Sequence, residues 1–332
     1  MTDPTPEAAA TSRPRLPSLD AIKSLAILGV VAQHAGVSFG EVWTPLDHVL
    51  RNSWNTFHVP SFLIVAGFLA WRARELHWAD LAPRLARIGI PYLLVSPVAW
   101  WILRPEGIAL PVALLTGAAD GTYYFFFIMF QCITLSWLLS RVGAAGRRAL
   151  FAALLAYLLA VGVWPELQLT HGFFWVARDP LSSFYFGYFV LGWIVADHQT
   201  RLRRLFADYR WPVVAAGALL VAPNVAAWSG RALPLTSNEI RLLYTVGVLT
   251  WIVVFMRERS LPRVLRRLSE QTLVIYLLHN VLMQMALPYT MTLHAGLRFA
   301  VLASVGLVGS LAIAELARGI FGNARARRFI GA

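Results

Sequence analysis

An all-α, polytopic membrane bundle of about ten transmembrane helices is the fold class this sequence predicts, and three observations predict it. The 332 residues are 58% hydrophobic and only 14% charged, with a mean hydropathy of +0.60, which excludes an ordinary soluble domain. Apolar runs long enough to cross a ~30 Å hydrocarbon core recur along the chain between short polar segments. The basic residues alternate between successive connections in the manner that orients membrane helices.

The spans are expected at roughly 22–39, 57–71, 88–103, 122–140, 148–165, 181–197, 211–227, 240–256, 271–288 and 296–316. The first is the apolar run Leu25 to Val37, entered from Leu16-Pro17-Ser18-Leu19-Asp20. The second opens at Phe57-His58-Val59-Pro60 and ends before Arg72. Between the third and fourth, Gly107 to Ala119 is apolar but too short to span, and reads as a re-entrant or interfacial piece. The sixth is rich in Phe and Gly from Phe184 to Trp193, and the ninth carries Tyr276-Leu277-Leu278-His279-Asn280 in its middle. Residues 1–20 read as a polar, disordered tail with no cleavable signal. Residues 21–318 read as one membrane domain and 319–332 as a basic tail. No internal repeat or heptad run is present.

An even number of spans leaves both termini on one side. That side collects all of the 29 basic residues except Arg51, Arg104, Arg178, Arg231, Arg241 and Arg298. Both termini are therefore expected in the cytoplasm, with the chain multi-pass in the cell inner membrane. The net charge of +12 is not a nucleic-acid signal, because the arginines sit in short loops between apolar runs. The single Cys132 excludes an intramolecular disulfide or a thiolate metal cluster. No bound cofactor or metal is expected.

Ionisable residues inside a membrane helix are costly and mark function by default. Lys23, the only lysine, stands at the mouth of the first span, and His34 lies three helical turns deeper on the same face, about 16 Å along the axis. Gln33 is beside His34, and Glu41 lies beyond it on nearly the same face. His58 is expected at the outer end of the second span, with Arg72 and Arg74 at its inner end. His279 and Asn280 fall near the middle of the ninth. An acyl coenzyme A fits this layout: phosphates on Lys23, Arg72 and Arg74, an extended arm matching the Lys23–His34 spacing, and a thioester beside an imidazole able to act as base or nucleophile.

At these residues the sequence resembles the acyltransferase-3 superfamily of integral-membrane acyltransferases. The resemblance rests on Arg15 to Asp20, the Lys23/His34 spacing, Phe57-His58-Val59-Pro60-Ser61-Phe62 followed by Ala66-Gly67-Phe68-Leu69, and Arg72-Ala73-Arg74. It continues through Arg87-Ile88-Gly89-Ile90-Pro91-Tyr92, Phe184 to Trp193, and Leu268-Ser269-Glu270 through His279. Lys23 and Ser24 stand where the family usually has Arg-Gly, and Ala66 replaces a serine. The resemblance implies an O-acyltransferase, usually an O-acetyltransferase, that moves an acyl group from cytoplasmic acyl-CoA to an extracytoplasmic glycan or lipid-linked saccharide. It implies His34 as the catalytic histidine and Lys23, Arg72 and Arg74 as donor-binding residues. His58 and His279 are then supporting polar residues, and Asp20 or Glu41 is a carboxylate that orients His34 or braces Lys23.

Plainer readings stand beside these. Lys23, Arg72 and Arg74 are also what snorkelling anchors look like, and a buried histidine also serves packing. Arg84, Arg87 and the arginines of 257–267 read as topology signals or lipid-headgroup contacts. Gly67, Gly89, Gly187 and Gly192 read as points of close helix approach. The rival function is a transporter or flippase using intramembrane histidines.

Overall fold

The computed structural model describes residues 16–37, 45–71, 78–163, 183–228, 235, 237–257 and 259–331. Among them the regular elements are all helical. The first half comprises α1 (Pro17–Val37), α2 (Pro45–Trp71), α3 (Leu81–Leu103), the short α4 (Leu110–Thr116), α5 (Tyr124–Arg141) and α6 (Ala144–Val163). The second comprises α7 (Ser183–Asp197), α8 (Gln199–Asp208), α9 (Arg210–Trp228), α10 (Ser237–Met256), α11 (Arg263–Glu270) and α12 (Thr272–Thr290). It ends with α13 (Ala295–Ser304) and α14 (Ser310–Phe321), joined by one π-helical turn, and α15 (Asn323–Ile330).

Every apolar run read from the sequence coincides with a helix. By length and composition, six are able to cross a bilayer among the described residues: Leu81–Leu103, Tyr124–Arg141, Arg210–Ala227, Asn238–Met256, Thr272–Thr290 and the α13–α14 rod Ala295–Phe321. That is fewer than the ten expected. The apolar part of α2, Thr56–Trp71, and α7 are shorter, and α1 carries Asp20 and Lys23 in its first turns.

α1, α2, α5, α7 and α12 form the interior. Ile27, Leu63, Phe126, Tyr188, Phe189, Trp193, Ile275 and Leu277 are fully buried there. By contrast α3 exposes Leu93, Leu94, Val98 and Trp101, and α9 exposes Trp211 and Leu219. In water such a surface would aggregate; in lipid it is the solvated face.

Two local devices let α2 sit at the centre. The first is close backbone approach. A Cβ on Gly67 would lie 2.0 Å from the carbonyl oxygen of Phe189, and one on Gly192 would lie 2.1 Å from that of Ile64. α2 and α7 therefore touch backbone to backbone, which only glycine permits. Of the other two glycines expected at close approaches, Gly89 and Gly187 have nothing nearer than 3.6 Å and 3.9 Å, so neither is required by packing.

The second device concerns Pro60. The second helix does not begin near His58, as the Phe57-His58-Val59-Pro60 segment suggests; it begins at Pro45 and carries Pro60 in its interior. Proline has no N–H to offer the carbonyl four residues back. That carbonyl, Thr56 O, instead accepts from the Thr245 hydroxyl of α10 at 3.1 Å. A neighbouring helix supplies the donor that the proline lacks. His58 thus lies inside a helix, buried, rather than at a helix end.

At one end of the bundle Asp197 closes α7. It accepts from Trp71 Nε1 and from Arg147 Nε and Nη2 at 3.0 and 2.8 Å, tying α2, α6 and α7 together.

Gly192→Ala pushes a methyl group into the α2 backbone and is expected to cost about 3 kcal/mol, the upper range of overpacking. Thermal unfolding in detergent should show a clear fall in midpoint, while Gly187→Ala should melt like the wild type. Equal behaviour of the two variants contradicts the backbone contact.

Candidate functional site

The polar residues of the interior converge on α12. In the middle of this largely apolar helix Tyr276, His279 and Asn280 make a polar stripe. Against the stripe lies the irregular segment 117–123, which follows α4. Asn280 Nδ2 donates to both oxygens of Asp120, at 2.9 and 3.0 Å. The Asp120 carboxylate also accepts from the Thr122 N–H at 2.8 Å, closing an Asx turn. Tyr276 donates its hydroxyl to Thr122 O, and Tyr123 donates to Leu277 O, both at 2.7 Å. Tyr92 Oη donates to Leu114 O at 2.7 Å and Trp100 Nε1 to Ile108 O at 2.8 Å. Non-helical backbone at membrane depth survives only where protein groups satisfy it, and here they do. The apolar stretch Gly107 to Ala119 holds the short helix α4 and the turns on either side of it.

His279 is held by its own helix. Its Nδ1 lies 3.0 Å from Ile275 O and 2.9 Å from Tyr276 O. Both partners are acceptors, so Nδ1 carries the proton and the neutral ring presents a lone pair at Nε2. That atom is buried and has no hydrogen-bond partner among the described residues. The His34 ring packs beside it, centroids 5.2 Å apart at an interplanar angle of 55°. The Asp120 carboxylate lies within electrostatic range of His34.

His34 faces a cavity of about 200 Å³, which it lines with Gln33, His58, Tyr124, Tyr185, Arg241, Gly121 and Tyr276. Gln33 Oε1 is buried there and has no hydrogen-bond partner among the described residues. A second cavity, of about 540 Å³, opens toward the other end of α1. Lys23, Arg84, Arg87, Ser269 and Glu270 stand around it, and Phe62, Val65, Phe125, Met129 and Ile133 line its apolar part. Tyr276 belongs to the walls of both cavities.

The sequence-predicted residues sort as follows. His34 and His58 share one cavity, and His279 packs behind His34. Lys23 lies in the other cavity, paired with Asp20 at 3.1 Å. Asp20 also accepts from the Ser269 hydroxyl at 2.6 Å, so it braces Lys23 one turn along the same helix. Arg72, Arg74 and Glu41 lie outside the described residues. Three residues carry more than the sequence reading gave them. Arg84 and Arg87, read as topology signals, line the basic cavity. Asp120, not singled out, is a carboxylate within electrostatic range of His34. The signal for Asp120 was available: a lone carboxylate between two apolar runs qualifies as a functional residue by depth alone.

A helical bundle with lipid-facing apolar surfaces, a cationic cavity at one end and a histidine-lined cavity deeper in defines an integral-membrane protein with two adjoining interior cavities. The family model of the acyltransferase-3 group, described as an acyltransferase domain, matches residues 16–315. The chain therefore belongs to the acyltransferase-3 family and is a membrane acyltransferase. Comparison with curated proteins gives no match, and comparison with solved structures gives none either.

Replacing Asp120 by Ala removes the partner of Asn280 and of the Thr122 N–H, leaving buried donors unpaired at a cost of about 2–4 kcal/mol. Asp120→Asn keeps an oxygen for Thr122 and should melt much closer to the wild type. Thermal unfolding of both variants distinguishes this hydrogen-bonding role from simple bulk, for which both would behave alike.

Proposed function

We propose that this acyltransferase takes a short acyl group, acetyl in the first instance, from cytoplasmic acyl-CoA. It passes the group to a hydroxyl of an extracytoplasmic glycan or lipid-linked saccharide. All ten apolar helices are spans in this reading, residues 21–318 form the membrane domain, and both termini lie on the cytoplasmic side of the inner membrane. The observation that carries the proposal is the shared Tyr276 wall: a cavity rimmed by Lys23, Arg84 and Arg87 abuts one lined by His34.

The donor's phosphates bind at the cationic rim, where guanidinium and ammonium donors suit them. Arg72 and Arg74 belong to the same donor-binding set. The arm runs through the apolar cavity and brings the thioester to Tyr276 and His34. The histidine cavity has room for roughly seven water-sized groups, which suits an acetyl group and one hydroxyl better than a long chain. Its lining of Gln33, His58 and Arg241 suits a polar acceptor.

His34 faces the cavity and takes the proton as the acceptor oxygen attacks the thioester carbonyl. The C–S bond breaks, and the proton passes from the imidazolium to the departing thiolate. The Asp120 carboxylate, within electrostatic range of His34, stabilises the imidazolium while the proton is held; a buried carboxylate serves a catalytic histidine in this way elsewhere. The orphaned acceptors His279 Nε2 and Gln33 Oε1 also support a hydroxyl-bearing substrate, since buried acceptors left unpaired are expensive unless something binds them.

Turnover of acetyl-CoA by purified protein with a glycan acceptor extract tests the reading. His34→Ala should keep coenzyme A binding and lose release of free thiol by about 10²–10⁴-fold, the range of general-base catalysis. Arg84→Ala and Arg87→Ala should raise the donor KM and leave kcat nearly unchanged. Absence of both binding and turnover in the wild type would falsify the donor assignment and favour a transporter.

A further inference from the structure

We propose that α15 is part of the donor site: it closes the mouth of the basic cavity, and its docking is coupled to occupancy by a phosphate-bearing cosubstrate. The inference rests on the donor reading above. It concerns residues beyond the family match, which ends at 315, so it is a property of this chain's own C-terminal segment.

The sequence reading gives 319–332 as a basic tail. Within it residues 323–330 form a helix that packs against α3 and α14. Gly322 makes the reversal, with φ at +76°, a conformation that favours glycine. Ala326 is fully buried and Ile330 packs on the core, while Arg325 and Arg328 are exposed. The inward residues are thus one helical turn apart, and the helix lies on the bundle by a narrow apolar edge.

Gly331 ends α15 in the left-handed conformation, φ +76°, and donates its N–H to Ala326 O. It lines the same cavity as Lys23, Arg84 and Arg87. It also sits tightly on α12: a Cβ there would lie 2.6 Å from Leu273 Cδ2, and Leu273 is itself a wall residue. Arg328 is one helical turn before Gly331, about 5 Å along the axis. An arginine side chain rooted there reaches the mouth.

Docking therefore gathers Arg325 and Arg328 at the end of the bundle that already holds Lys23, Arg84 and Arg87. Asp20 and Glu270 stand at the same rim, but cations outnumber them. Like charges oppose docking, and a ligand carrying several phosphates relieves that opposition. Ligand binding and helix docking then favour each other by the same factor, as linkage requires. A narrow apolar contact held against charge repulsion is what a coupled closing element needs, since a large contact would stay shut without ligand.

The test uses the full chain in nanodiscs with coenzyme A as the probe. Trypsin cleaves after Arg325 and Arg328 only when α15 leaves the bundle. Coenzyme A is expected to slow release of the C-terminal peptide about tenfold in the wild type. Ala326→Asp places a carboxylate in the buried edge of α15; it should abolish that protection and raise the acetyl-CoA KM about tenfold, with kcat at saturating donor within about twofold. The double variant Arg325→Gln/Arg328→Gln changes only exposed side chains and so folds. It should raise KM about threefold and weaken its dependence on salt. If equilibrium binding shows coenzyme A on the wild type, yet protection is absent and both variants keep the wild-type KM, α15 is not part of the site and the donor reading stands. If the wild type binds no coenzyme A, both fall together.

Discussion

The hydrogen-bonded seam between α12 and the 117–123 segment is the constraint on which the reaction site depends. Asn280 holds Asp120, Thr122 holds Tyr276, and Leu277 holds Tyr123. Each bond satisfies a polar group that would otherwise be stranded in hydrocarbon. Together they set the rotation of α12, and with it the direction of His279 and the position of Tyr276. Rotating α12 by one residue would strand three buried donors at once, so the register is determined by polar bookkeeping more than by apolar packing.

The two cavities follow from that register. α1 passes both, presenting Lys23 to one and His34 to the other. α2 is drawn against α7 by Gly67 and Gly192, which places His58 on the second wall of the histidine cavity. Pro60 lies two residues beyond His58, and the bond from Thr245 to Thr56 replaces the helical hydrogen bond that the proline omits. The missing bond, its replacement and the cavity wall therefore occupy one stretch of α2.

What was legible in the sequence depended on range. Hydropathy and arginine spacing gave every apolar helix, because apolar periodicity is local. Among the described residues six of these helices are long and apolar enough to cross by length and composition, while α2 and α7 have short apolar lengths that pack on each other. The Lys23–His34 spacing located both cavities, because it lies within one helix. The start of α2 was misplaced because Pro60 reads locally as a helix beginning, and its rescue comes from Thr245, far away in the chain. Asp120 escaped notice for the same kind of reason: its meaning comes from Asn280 on another helix. Arg84 and Arg87 look like topology signals in one dimension, and only the fold shows that they face a cavity.

Tyr276 has one further consequence. Its ring is buried, its hydroxyl is committed to Thr122, and Phe125, Phe126 and His279 pack around it. A protein with polar chambers toward both ends of a membrane bundle risks becoming a leak for protons and ions. The aromatic layer at Tyr276 is a bulkhead between the two cavities, and the ring faces packed there oppose a continuous water chain from one to the other. An enzyme built in this way keeps two cavities adjacent at one ring without opening a channel between them.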